Sequence, residues 1–181
     1  MNDDKSKIQY INRRERKYMD YHNKYANQYV EIPIKERHIC NGCRKNCAQK
    51  GKNKVFYETI VEFSEYKKYI DAPDEIVVRN HEIIVIFNYP LKKSVKFTLF
   101  AKNPQTGISR IELIEFITST YQKIYDVEEL TSNIPVGYIG DTSIRNITDG
   151  MYGIWGHKID FLRIEKIMYF PMESCIRLII G

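Results

Sequence analysis

The sequence predicts an α+β fold: a mixed or antiparallel sheet with one packed helix, preceded by an N-terminal helical extension. Three observations predict it. Residues 82–100, "EIIVIFNYPLKKSVKFTLF", hold two runs of β character joined by a polar link, the pattern of paired strands. One long helical pattern opens at Ser109. Two further strand-like runs, 161–170 and 174–181, close the chain. A hairpin, a helix laid across it and later strands completing the same sheet are satisfied by a β-grasp-like arrangement.

The elements follow in order. Residues 5–30 read as a helix, because Tyr10, Tyr18, Tyr21, Tyr25 and Tyr29 keep to one helical face, and Pro33 ends the segment. A Cys/His cluster comes next. The basic, glycine-containing "QKGKNK" at 49–54 then marks a boundary. In residues 55–70, Val55, Tyr57, Thr59, Val61 and Phe63 alternate like a strand, whereas Phe56, Ile60, Phe63 and Ile70 fit a helix. The helical reading is adopted, ending before "DAPDE". Strand-like runs then lie on both sides of Asn80-His81. In "SVKFTLF", Val95, Phe97 and Leu99 point one way and Lys96 and Thr98 the other, after a four-residue link, "PLKK".

Ser109 caps the main helix, with Glu112 three residues on completing a capping box. Its buried stripe is Ile114, Ile117, Tyr121 and Ile124, and it runs out near Asp126-Val-Glu-Glu. Residues 131–160 form a long loop region with five glycines. In the last strand Ile176, Leu178 and Ile180 share one face, beyond a turn at Pro171-Met172. The organisation is therefore a basic extension (1–54), a connecting helix (55–74) and an α+β domain (75–181).

Composition limits the function classes. An apolar content of 43% suffices for a core, and no apolar run approaches the roughly 20 residues that span a bilayer. The polar start, "MNDDKSKIQY", does not read as a signal peptide, so an intracellular protein is expected. Charge is uneven. Residues 1–54 carry 14 Lys and Arg against 6 Asp and Glu, a net +8, while the remainder carries 14 against 17, a net −3. A basic arm on a slightly acidic body suits a polyanion or an acidic partner surface, or simply keeps the arm soluble.

Within that arm, "HICNGCRKNC" gathers His38, Cys40, Cys43 and Cys47. Zinc takes four thiolate or imidazole donors, and Cys40 and Cys43 have the spacing of a zinc knuckle around Gly42. Four ligands in ten residues is tight, so His22 or a second protomer could complete the set. Free thiols and redox chemistry are the competing readings. Cys175, in a strand pattern, reads as a small buried residue.

The helix before the cluster interleaves Arg13, Arg14, Arg16 and Lys17 with Tyr18, Tyr21 and Tyr25. Basic side chains neutralise phosphates while tyrosines stack on bases. Tyrosine is equally favoured at protein interfaces, which is the reading adopted here, with nucleic acid as the alternative. A membrane-surface helix fits least well.

The motif "DGMYGIWGH" at 149–157, with "FNYPLKKSVKFTLF" and "GISRIELIEFITSTYQKIYDVEE", resembles an uncharacterised family of giant nucleocytoplasmic DNA viruses, algae and plants. The matching positions include Tyr89, Pro90, Leu91, Phe97, Leu99, Tyr121, Tyr125, Glu128, Asp149 and Gly150, then Tyr152 through His157. The similarity covers about residues 83–181 and leaves the cysteine cluster outside. Phe161 departs from the family's acidic residue, and the terminal "IIG" lacks its final polar residue. The resemblance implies no activity and transfers no catalytic residue. With a composition rich in Lys, Asn, Ile and Tyr, it points to a large DNA virus as the source.

In that motif, Trp155 is expected to plug the core where the loop crosses the sheet, and His157 to hydrogen-bond and hold the turn. A His157 pairing with Asp149 or Asp160 for acid–base work is the competing reading. Together these observations predict a non-enzymatic interaction or structural protein, whose arm docks on a protein partner or a second copy. The alternatives are a nucleic-acid-binding protein with a small zinc module, and an enzyme using His157.

Overall fold

A computed structural model describes residues 29–34, 59–61, 63, 67–138 and 144–181. Its centre is a five-stranded mixed sheet. The chain-order strands are β1 (Val30–Ile32), β2 (Ile76–Val78), β3 (Glu82–Phe87), β4 (Val95–Phe100), β5 (Ile108–Ser109), β6 (Ile144–Arg145), β7 (Gly156–His157), β8 (Ile164–Phe170) and β9 (Cys175–Ile180). The main sheet runs β1-β8-β9-β3-β4. The β3–β4 and β8–β9 pairs are antiparallel, and the two hairpins meet through a parallel β3–β9 pairing. One helix, α1 (Arg110–Thr131), connects the halves, so the α+β expectation holds.

The alternation read from the sequence decides which face is buried. Ile83, Val85 and Phe87 of β3 and Ile176, Leu178 and Ile180 of β9 join one core with Leu113, Ile114, Ile117, Tyr121 and Ile124 of α1. Phe87 is its aromatic centre, with ring centroids 4.9 Å from Tyr121 and 5.6 Å from Phe97, both edge-on. In β8 the register shifts between Ile164 and Lys166. This bulge brings Ile164 and Ile167, three apart, to the same core. Met168, Phe170 and Cys175 form a second, smaller cluster with Tyr29, Ile86 and Ile179. Cys175 is buried there, as expected.

Several local expectations change. The capping box is present, with Ser109 Oγ accepting from Glu112 N–H and Glu112 accepting from Ser109 N–H. The helix continues through the Asp126-Val-Glu-Glu run and ends two residues beyond it, at Thr131. The strands on both sides of Asn80-His81 form, and β2 pairs with β5 outside the main sheet. That pairing requires Gly107, with φ +99°, because a Cβ there would collide with the Val78 carbonyl. The β3–β4 link spans 88–94, longer than "PLKK", and contains a cis Tyr89–Pro90 bond. Val30, expected as the last residue of the N-terminal helix, instead opens β1, which lies antiparallel to β8. Of the connecting segment, the described residues include a turn at Ile60 and Val61 and a 3-10 turn at Lys67–Tyr69. Ile60, Phe63 and Ile70 are buried in the main core.

Candidate binding groove

Two segments build the site: the 88–94 link and the loop 147–157. They are tied backbone to backbone. Lys92 N–H donates to the carbonyls of Tyr152 (3.1 Å) and Gly153 (3.0 Å), and Trp155 N–H donates to the Pro90 carbonyl (3.0 Å). Gly153, with φ +63°, permits this approach, since a Cβ would lie 2.9 Å from Lys92 Cβ.

The anchor of the loop is Glu128, on the last turns of α1 and fully buried. Oε1 accepts from Thr148 Oγ1 (2.6 Å), Gly150 N–H (2.9 Å) and, longer, Ile154 N–H (3.4 Å). Oε2 accepts from Tyr152 N–H (2.7 Å) and Gly153 N–H (3.0 Å). Burial opposes ionisation of this carboxyl, but the Thr148 hydroxyl and the N–H groups of Tyr152, Gly153 and Ile154 outweigh it and hold the pKa below the usual value. A buried anion thus satisfies N–H groups that the turning loop could not pair with itself. Sequence reading took the Asp126-Val-Glu-Glu run for the polar end of a helix. The available signal was the glycine pair of "DGMYG", Gly150 and Gly153, too far along the chain to name its partner.

Above this frame stands an aromatic wall. Tyr89 lies edge-on to Trp155 (5.3 Å between centroids) and to His157 (5.8 Å). Tyr89 Oη and His157 Nδ1 are 3.2 Å apart. Tyr125 donates to the His157 carbonyl (2.8 Å) and Tyr121 to the Tyr89 carbonyl (2.9 Å). Burial pushes both of these phenols up, keeping them neutral donors. Arg145, almost fully buried, lies 5.3 Å from the Tyr125 ring centroid. His157 is thus tied by its ring to Tyr89 and by its carbonyl to Tyr125. Trp155 does not plug the core, because 40% of it is exposed. Its ring packs on Tyr89 at the surface, since the backbone bond to Pro90 seats the loop over the link.

The wall borders a groove of about 980 Å³ at the carboxyl ends of the parallel strands β3 and β9. Ile86, Met168 and Ile179 contribute apolar lining, and Asn88, Ser94, Ile144, Glu165 and Arg177 supply further contacts. Asp149 is committed elsewhere, with Oδ1 accepting from the Ser132 hydroxyl and from Asn133 and Ile134 N–H. These bonds, the Ser132 hydroxyl foremost, lower its pKa. The His157–Asp149 pairing is thereby replaced by His157–Tyr89.

His38, Cys40, Cys43 and Cys47 lie outside the described residues, as do Arg13, Arg14, Arg16, Lys17, Tyr18, Tyr21 and Tyr25. Among the described residues, no group of three or more His, Cys, Asp or Glu side chains could hold a metal ion, and no helix is long and apolar enough to cross a membrane. Comparison with protein-family models, with curated proteins and with solved structures finds no match to the chain.

Proposed function

We propose that this chain is a non-enzymatic protein-interaction module, whose groove receives an apolar segment of a protein partner while the basic residues 1–54 supply a second docking element. The observation that carries the reading is Trp155, 40% exposed on a loop fixed by the Glu128 bonds. Large aromatic side chains held in place at the mouth of an apolar groove are what protein interfaces use as anchors. Ile144, 42% exposed, lines the same groove and extends its apolar surface. The strand order β4-β3-β9-β8, with its two parallel strands at the centre, supports a grasp-like description of the domain. The motif resemblance supports a setting in a large DNA virus.

A displayed peptide library selected on the full chain tests this. Expected are peptides with bulky apolar residues that change Trp155 emission and lose at least about tenfold in affinity for Trp155→Ala, the cost of a typical anchor residue. Selection of nothing that depends on Trp155 would overturn the reading. An acid–base enzyme has one observation in its favour, that His157 and Glu165 line the same groove. It predicts that His157→Gln abolishes function while leaving binding intact, whereas the interaction module predicts that binding itself is the function. Steeply salt-dependent binding to DNA or RNA, lost on deleting residues 1–54, would favour the nucleic-acid alternative.

A further inference from the structure

A separate surface lies at the far edge of the sheet. β4 is the terminal strand in the order β1-β8-β9-β3-β4, and among the described residues only β3 pairs with it. The direction of its free groups follows from the ladder. Ala101 N–H donates to the His81 carbonyl (2.8 Å), continuing the β3–β4 pairing by one step. In an antiparallel pair the bonded positions alternate, so Val95, Phe97 and Leu99 bond towards β3. Ile84, opposite Thr98, accordingly sends its N–H the other way, to the Ser174 carbonyl (3.4 Å). Lys96, Thr98 and Phe100 therefore present their N–H and C=O groups at the open edge. Their side chains are exposed as well, Phe100 by 64%.

The charge beside the first part of this edge is basic, and the acidic Glu82 lies opposite Phe100 at its far end. Lys92, Lys93 and Lys96 are exposed, and none of them forms an ion pair among the described residues. An open edge accepts an extended strand, and lysines along it repel a second copy of the same edge. They attract an acidic strand instead.

We propose that β4 is a docking edge for an acidic, extended peptide segment of a partner protein, paired through the open backbone groups of Lys96, Thr98 and Phe100. Acidic side chains of the segment face Lys92, Lys93 and Lys96, and an apolar one covers Phe100. This surface does not include Trp155 and shares with that groove only the 88–94 link, in which the Lys92 backbone seats the Trp155 loop.

Fluorescence anisotropy of the full chain tests the proposal, using a short labelled peptide whose alternate positions, on the face shared with Lys96 and Phe100, carry glutamates followed by one valine, and a second with lysine in place of each glutamate. The glutamate peptide is expected to bind, more weakly at high salt, and the lysine peptide not to bind. Thr98→Pro removes an edge N–H without touching the β3 ladder, a position where proline is tolerated. It should weaken binding by about tenfold or more, as should Lys92→Glu, Lys93→Glu and Lys96→Glu combined, which leaves the backbone intact if the proline variant folds poorly. Trp155→Ala should bind as the wild type does. Absence of binding, equal binding of the two peptides, or an unaffected lysine-reversal variant would overturn the proposal. So would a concentration-dependent dimer that Thr98→Pro dissolves, with no peptide bound, since a second copy would then be the occupant.

Discussion

Replacing Glu128 by glutamine tests the frame on which the groove depends. The two side chains have nearly the same shape, but the amide offers one acceptor oxygen where the carboxylate offers two. Whichever way the amide turns, its nitrogen faces at least two donors: Tyr152 and Gly153 N–H on one side, or Thr148 Oγ1 and Gly150 N–H on the other. Each buried donor left without an acceptor costs about 1–3 kcal/mol, so the substitution should cost about 2–6 kcal/mol. That is a large part of the roughly 5–15 kcal/mol by which a domain is stable. Trp155 is the only tryptophan in the chain and sits in the affected loop, so its emission reports the loop directly. Urea unfolding followed by Trp155 emission and by far-ultraviolet circular dichroism should show Glu128→Gln losing the tryptophan signal at lower urea. Backbone ellipticity should be lost at the same point or later. A shift below about 0.5 kcal/mol, the scale of an ordinary surface substitution, with unchanged native emission would refute the reasoning.

Three more outcomes are expected, two from the described structure and one from the sequence of residues 38–47. The Glu128 carboxyl has a lowered pKa when folded, so its stabilisation is fully present above the unfolded carboxylate pKa of about 4.3 and is lost as pH falls through the lower folded value; an acid titration of urea stability should be shallower in Glu128→Gln than in the wild type. Gly107→Ala meets both a positive φ and the Val78 carbonyl, and should lower stability by about 2 kcal/mol or more in the same unfolding assay, whereas alanine at the exposed Gln105 should change it by less than about 0.5 kcal/mol. Metal analysis of the full chain should find about one zinc ion per molecule, absent in Cys43→Ser, and a metal-free protein with the same melting temperature would contradict zinc as a staple of residues 38–47.

How much of this was legible depended on how local the determining contacts are. The start of α1 could be read because its capping box is complete within four residues, and its core stripe because helical periodicity places Ile114, Ile117, Tyr121 and Ile124 on one face. The face of β9 was equally plain from Ile176, Leu178 and Ile180. The burial of Glu128 near the end of α1 was not legible, since its donors lie 20 to 26 residues further on. β2 found its partner in β5 through a glycine whose need appears only when the two backbones meet. Trp155 looked like a core residue by its chemistry alone. Its exposure follows from the Pro90 and Tyr152–Lys92 backbone bonds, which hold the loop at the surface. The groove was partly legible, in that His157 was read as holding a turn, but Tyr89 as its partner lies 68 residues away.

The central claim is that the Trp155 groove is where a protein partner binds. Nuclear magnetic resonance mapping of a library-selected apolar peptide on the full chain tests it most directly. The account predicts chemical-shift changes concentrated at Tyr89, Ile144, Trp155, His157, Met168 and Ile179, abolished by Trp155→Ala. A footprint confined to residues 1–54, or one unchanged by that substitution, would contradict it.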